Sequence, residues 1–208
     1  MDNSTLQNKF GLFTLAYILK GNAMYYGAIK KCDISNGEGI RTSIFVSGCR
    51  NRCKNCFNQD TWAFDYGKPF DEAAAEEIFA SMNNASVKGL TVLGGEPMEP
   101  ENQRDLLPFI REFKKRCPHK NVWLFTGNLY EELNGVPGSH PKCLDITKEI
   151  LSYVDILVDG RFIEEEKRLG LRFRGSANQR IIDMNKTRES GEIVIWDGVK
   201  LDKTYTRP

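Results

Sequence analysis

Four short stretches rich in β-branched or aromatic residues recur along the chain, and each stops abruptly at glycine or a polar cluster. They are residues 41–47, 89–93, 121–126 and 154–158, and such runs read as buried strands. The segments between them are long enough for helices. Asp71 is placed to cap a helix over residues 72–82, with Ala73, Ala74, Ile78 and Phe79 on its inner side. Residues 101–116 read as a second helix, closed by Cys117-Pro118 because a residue before proline is pushed out of the α region. Pro108 lies inside it, so a break or a late start is expected there. Residues 145–153 read as a third helix, and residues 135–143, with their prolines and glycines, as loop. Near the C-terminus, Ile193 and Ile195 alternate with Val194 and Trp196, which predicts one further strand. Strands separated by helix-length segments imply an α/β fold with a mainly parallel sheet and right-handed crossovers, open or curled into a partial barrel. A chain of 208 residues with 40% apolar content can bury a proper core as one domain.

The chemically distinctive residues fall where the predicted strands end. The first strand runs into Gly48-Cys49-Arg50-Asn51-Arg52-Cys53-Lys54-Asn55-Cys56-Phe57, which holds half of the six cysteines. Three thiolates from one loop can hold a metal or a metal cluster and leave one coordination position open for chemistry. With the cysteines so bunched, metal ligation in a reducing compartment is a better reading than disulfides. A structural zinc site is the alternative. It would need a fourth ligand from Cys32, Cys117, Cys143, His119 or His140, none of which is paired at a finger-like spacing. Cys32, Cys117 and Cys143 read as buried small hydrophobes.

The second strand ends in Gly94-Gly95-Glu96-Pro97, the third in Thr126-Gly127-Asn128 and the fourth in Asp159-Gly160. In parallel α/β folds ligands bind outside the carboxyl ends of the strands, so these ends are expected to build one site. Gly94 and Gly95 permit close backbone approach, and their exposed peptide groups are candidates to hold a small polar ligand. Thr126 and Asn128 can reach a sugar or simply close a turn. Asp159 can be a ligand or part of an Asp-Gly turn.

The net charge of +1, from 29 basic and 28 acidic residues, suggests neither a nucleic-acid partner nor another polyanion. Arg50, Arg52 and Lys54 alternate with the cysteines, where they can lower thiol pKa values, offset the charge of a cluster or form a docking rim. Residues 1–24 fit poorly with the rest. Phe10 to Leu19 is apolar but too short to span a bilayer, which takes about 20 residues. Lys9 set against Asp2, and Lys20 in the would-be cleavage region, argue against a secretory signal. The segment reads as an extra helix or, preferably, as an upstream start before Met24, with residues 25–208 forming the domain. No membrane association and a cytoplasmic location are expected.

Cys-x3-Cys-x2-Cys after the first strand, followed by a Gly-Gly-Glu-Pro strand end, resembles the radical S-adenosylmethionine (SAM) superfamily. Within it, the chain is most similar to the family of activating enzymes of anaerobic ribonucleoside-triphosphate reductase. The stretches that carry this closer resemblance are Asp33-Ile-Ser-Asn-Gly-Glu-Gly-Ile-Arg41, Ser43-Ile-Phe-Val-Ser-Gly-Cys49, Cys56-Phe-Asn-Gln-Asp-Thr-Trp62, Leu157-Val-Asp-Gly-Arg-Phe162 and Arg174-Gly-Ser-Ala-Asn-Gln-Arg-Ile-Ile182. Asn55 stands where the broad superfamily usually has an aromatic residue, and Glu38 where a proline is common in related activases.

The resemblance implies a partial β/α barrel of the radical SAM type. It implies a [4Fe–4S] cluster held by Cys49, Cys53 and Cys56, whose fourth iron is chelated by SAM. Reductive cleavage of SAM by an external one-electron donor such as a flavodoxin would then yield a 5′-deoxyadenosyl radical that forms a glycyl radical on the partner reductase. Gly94, Gly95, Glu96, Thr126, Asn128, Asp159, Arg174 and Asn178 are the expected SAM contacts, and a guanidinium such as that of Arg172 or Arg174 suits a carboxylate. The alternatives are an activase of another glycyl radical enzyme (formate-lyase type), a radical SAM enzyme for a small molecule, and a zinc-stabilised binding module without catalysis.

Overall fold

The computed structural model describes residues 24–198, so the readings for residues 1–23 lie outside the described residues. The strands are β1 (Tyr25–Asp33), β2 (Ile40–Val46), β3 (Lys68–Pro69), β4 (Val87–Gly94), β5 (Asn121–Phe125), β6 (Ile156–Asp159) and β7 (Arg180–Asp183). They form one seven-stranded sheet in the order β3-β1-β2-β4-β5-β6-β7. The helices are α1 (Glu72–Met82), α2 (Pro100–Arg116), α3 (Tyr130–Leu133), α4 (Thr147–Tyr153) and α5 (Met184–Ser190).

The expected parallel order holds in the centre, where β2, β4, β5 and β6 run parallel. The flanks are antiparallel: β1 against β2, β3 against β1, and β7 against β6. Connection length explains the β1–β2 pair. A parallel neighbour needs a crossover of a dozen or more residues, which the short link from β1 to β2 does not supply. Strand β1 escapes a pattern-based reading because its register with β2 shifts twice, so its burial does not alternate cleanly.

Side chains two apart along a strand share a face. Ile44, Val46, Leu90, Val92, Val122, Leu124 and Leu157 point to one side and form the main core with the inner faces of α1 and α2. Asp71 caps α1 as expected, its carboxylate accepting from Ala74 N at 2.9 Å. Ala75 and Met82 are buried with Ala74, Ile78 and Phe79, while Ala73, expected on the inner side, is exposed. Met24 packs into the same core, and its N–H donates to the buried Asp105 carboxylate.

Two expectations fail. Helix α2 runs unbroken through Pro108. A mid-helix proline costs about 3 kcal/mol. Leu106, Phe109, Ile110 and Phe113 are all fully buried, each worth about 1.5–3 kcal/mol, so packing outweighs the missing hydrogen bond. The C-terminal segment makes only an isolated bridge, Ile182 to Ile195, rather than a strand. Trp196 is drawn instead to the other face of the sheet, its ring 5.3 Å from Trp123 and 6.0 Å from Phe173.

At the amino-terminal end of the parallel strands Arg41 is fully buried. It donates to Thr91 Oγ1 (2.6 Å), Leu90 O (2.7 Å) and Asn121 Oδ1 (2.8 Å), and stacks near Trp123. Burial pushes its pKa down to about 10. This ties β2, β4 and β5 together at the end opposite the cysteines.

Candidate metal centre

The cysteine loop is stitched to its surroundings by backbone. Gly48 N donates to Thr61 O (2.8 Å) and Cys49 N to Trp62 O (3.1 Å), while Gly95 N and Glu96 N donate back to Val46 O (2.7 Å) and Gly48 O (2.9 Å). Farther on, Arg52 and Asn55 adopt left-handed conformations, with φ of 51° and 56°. Such conformations are unfavourable for residues with a side chain, yet here they wind the loop tightly enough for Cys56 N to reach Cys53 O at 3.2 Å. Cys49 is buried, and Cys53 and Cys56 are half-buried.

Burial pushes the Cys49 thiol up to about 11, opposed by the N–H groups of Asn51 and Arg52 directed at its sulfur and by nearby Lys142. The Cys53 thiol is also raised, by burial and by the neighbouring Cys56, against the pull of Arg161 and the N–H of Phe162. Among the described residues, no three His, Cys, Asp or Glu side chains gather as they would around a single ion. The donor set fits an iron–sulfur cluster: three thiols on one loop, with N–H groups directed at two of the sulfurs.

Glu96 organises the neighbouring strand ends. Its carboxylate is fully buried and accepts from Met98 N (2.9 Å) and Thr126 Oγ1 (2.8 Å) on one oxygen. The other accepts from Asn51 Nδ2 (2.8 Å), Gly127 N (2.8 Å) and Asn128 Nδ2 (3.0 Å). The cysteine loop and the ends of β4 and β5 therefore meet on one side chain. Gly94 and Gly95 make this closure possible. Gly94 has φ of 114°, and a Cβ on it would lie 2.6 Å from Val46 O; a Cβ on Gly95 would lie 2.7 Å from Gly48 O. The N–H groups of Gly95 and Glu96 are thus occupied in joining β4 to the loop rather than exposed.

The end of β6 joins through Gly160 N to Asn128 O (3.1 Å). Asp159 is fully buried, and its carboxylate accepts from Tyr130 N (2.8 Å) and pairs with Arg180, which also grips Glu131 with two hydrogen bonds. Residues of the 174–182 stretch then fasten the loop after β6. Gln179 accepts from Gly175 N and Ser176 N and donates to Gly160 O (2.9 Å). Arg174 donates to Gln179 O (3.0 Å) and Asn178 Nδ2 to Arg161 O (2.8 Å), while Asn178 Oδ1 is buried with no hydrogen-bond partner among the described residues.

The alternating cations are exposed, and each is steadied by a partner. Arg50 pairs with Glu99 (2.7 Å) and Glu101 (2.6 Å) and stacks over Phe64; Arg52 lies over Trp62; Lys54 pairs with Glu165. Of the remaining cysteines, Cys32 is exposed and Cys117 half-buried, against expectation, while Cys143 is buried with its thiol donating to Leu133 O. A cleft of about 500 Å³ opens beside the loop, lined in part by Arg50, Asn51, Asn128, His140, Lys142 and Arg161.

Sequence reasoning did not single out Asn51, Glu99, Asn102 or Lys142. Asn102 Nδ2 bridges Ser47 O and Glu96 O, both at 2.9 Å. Lys142 donates to Asn51 Oδ1 at 2.8 Å and lies 3.1 Å from Glu99. The one available signal was a polar Asn-Gln pair on the buried side of an amphipathic helix. Lys142, in a proline-rich loop, carried none.

A family model described as a 4Fe-4S single cluster domain matches residues 35–182. The anaerobic ribonucleoside-triphosphate reductase-activating protein of Haemophilus influenzae is 40% identical over 149 residues, covering 71% of this chain and 90% of that relative. The protein of the same name from Escherichia coli K12 is 34% identical over 158 residues, covering 75% and 96%. That of Enterobacteria phage T4 is 34% identical over 160 residues, covering 76% and 93%. With the three-cysteine loop and its strand-end supports in place, the chain belongs to the family of anaerobic ribonucleoside-triphosphate reductase-activating proteins and carries its 4Fe-4S single cluster domain.

Proposed function

We propose that this protein is a radical SAM activating enzyme for anaerobic ribonucleoside-triphosphate reductase, with Cys49, Cys53 and Cys56 as ligands of a [4Fe–4S] cluster. The observation that carries the reading is the cysteine loop itself, fixed at the carboxyl end of β2 by backbone hydrogen bonds from Gly48, Cys49, Gly95 and Glu96. When bound, the cluster supplies one electron, taken from an external donor such as a flavodoxin, to cleave the C5′–S bond of SAM and leave a radical that draws hydrogen from a reductase glycine.

The residues of the chain bind, orient and shield. Cys49, 7% exposed, keeps one edge of the site dry. Because five donors already saturate Glu96 and the N–H groups of Gly95 and Glu96 are taken by the loop, Gly94, Gly95 and Glu96 shape the SAM site, and any contact they make to SAM falls to their carbonyl oxygens. Thr126, Asn128 and Asp159 set the shape of the floor. Asn178 Oδ1, buried without a partner, is the acceptor offered to a hydroxyl or amine of the ligand, and Arg174 lies nearby in the chain as a candidate for its carboxylate. The parallel centre of the sheet is the wall of a partial barrel of the radical SAM type, residues 25–208 form the activase domain, and the enzyme works in the cytoplasm. Among the described residues no helix is long and apolar enough to cross a membrane.

Anaerobic reconstitution tests this reading. The wild-type protein should take up about four irons per chain with the broad absorbance of an iron–sulfur cluster. After reduction it should release 5′-deoxyadenosine and methionine from SAM, and with the reductase it should give a glycyl radical signal. Cys53→Ala should abolish all three. Stoichiometric zinc with no iron would sink the proposal.

A further inference from the structure

Asn51 lies between Cys49 and Cys53 and addresses the site in three directions. Its Nδ2 donates to Glu96 Oε2 (2.8 Å), its Oδ1 accepts from Lys142 Nζ (2.8 Å), and its backbone N–H is directed at the Cys49 sulfur. The amide sits so close to β5 that a Cβ on Gly127 would lie 2.3 Å from Nδ2. Lys142 is pinned as firmly. Its carbonyl accepts from Gln103 Nε2 (2.8 Å) and Thr147 Oγ1 (3.2 Å). Its side chain is only 9% exposed, with the ammonium 3.1 Å from Glu99 and 3.9 Å from Glu96.

A lysine is ordinarily a surface residue, because burying an ammonium costs several kcal/mol unless it is paired. Here it offsets two carboxylates that are themselves buried. Of that pair, Arg50 reaches only Glu99.

We propose that Lys142 and Asn51 are a positioning pair for the cysteine loop. Lys142 fixes the Asn51 amide against Glu96, and Asn51 carries that orientation into the N–H groups that face Cys49. The inference rests on Cys49, Cys53 and Cys56 being cluster ligands. Charge and hydrogen bonds at one sulfur govern both how tightly a cluster is kept and how easily it is reduced. Neither residue touches the reacting atoms.

The test compares the anaerobically reconstituted wild type with Lys142→Met, Lys142→Arg, Asn51→Ala and the double variant Asn51→Ala/Lys142→Met. Lys142→Met should lose iron to a chelator about 10-fold faster than wild type. Its midpoint potential, read by paramagnetic resonance during a redox titration, should move to a more negative value because a nearby cation is gone. Lys142→Arg should restore the potential. Asn51→Ala should also speed iron loss, and the double variant should be no worse than Lys142→Met alone. If Lys142→Met does not fold, Asn51→Ala and Lys142→Arg carry the test: wild-type iron loss in Asn51→Ala, or a shifted potential in Lys142→Arg, overturns the pair. Wild-type iron loss and potential in a folded Lys142→Met overturn it too, as do additive effects in the double variant. Failure of the wild type itself to take up iron overturns the cluster reading instead.

Discussion

Asn51 and Glu96, 45 positions apart, are joined by one hydrogen bond of 2.8 Å from Nδ2 to Oε2. That bond makes the loop after β2 and the turn after β4 a single unit, with Glu96 as its hub. Glu96→Gln keeps the volume but replaces an acceptor with a donor opposite other donors. Each buried donor left without a partner costs about 1–3 kcal/mol, so the variant should lose about 3 kcal/mol in urea denaturation of the iron-free protein. It should also retain less iron after reconstitution.

Gly95→Ala would drive a methyl group into Gly48 O and Thr61 O, at 2.7 and 2.8 Å, and those atoms are backbone of the loop and its anchor. The expected result is lower iron occupancy together with a lower melting temperature. Thr91→Ser, in the middle of β4 and bonded to Arg41 rather than to the loop, should leave iron occupancy unchanged, which separates damage to the loop from general loosening of β4.

The Arg180 pairs differ in depth. Arg180→Gln strands Asp159, fully buried, without its cation, and breaking a buried pair in this way costs about 3–5 kcal/mol. Glu131→Gln removes the outer partner, whose side chain is 56% exposed, and should cost no more than about 1 kcal/mol. Chemical denaturation of the two variants side by side checks the ordering.

Acidification should act on the outer pairs. Hydrogen bonds from Arg50 and Arg180 hold the Glu101 and Glu131 carboxyls below the ordinary range. A carboxylate depressed in the folded state adds stability that is complete above the unfolded value, about 4.3, and is lost as pH falls through the folded value. The deficit of Glu131→Gln relative to wild type should therefore be visible at neutral pH, begin to shrink below the unfolded value and vanish as pH falls through the lowered folded one. Melting temperatures across that range measure it.

How much of this was legible beforehand varied with the range of the interactions. The parallel strands and α1 were readable because their signals are local: β-branched runs, an apolar face and an Asp71 cap. Strand β1 was not, since its two register shifts scramble the alternation. Pro108 misled because propensity acts on one residue while burial of Phe109 and Phe113 acts on the whole helix. In the site, the strand-end residues could be listed in advance, but their division of labour could not. The contact between Lys142 and Asn51 spans 91 positions and leaves no spacing to detect. The alternation of Arg50, Arg52 and Lys54 suggested a surface, and all three are exposed, but the partner each one leans on elsewhere in the chain left no signal.

The backbone bonds that fix the cysteine loop, from Gly48, Cys49, Gly95 and Glu96, do not involve sulfur. Many small metal domains collapse when stripped, because their ligands are also their scaffold. Here the mould and the casting are separate. Exposure to air that dissolves an iron–sulfur centre should leave an empty but shaped protein, ready to be refilled when anaerobic conditions return.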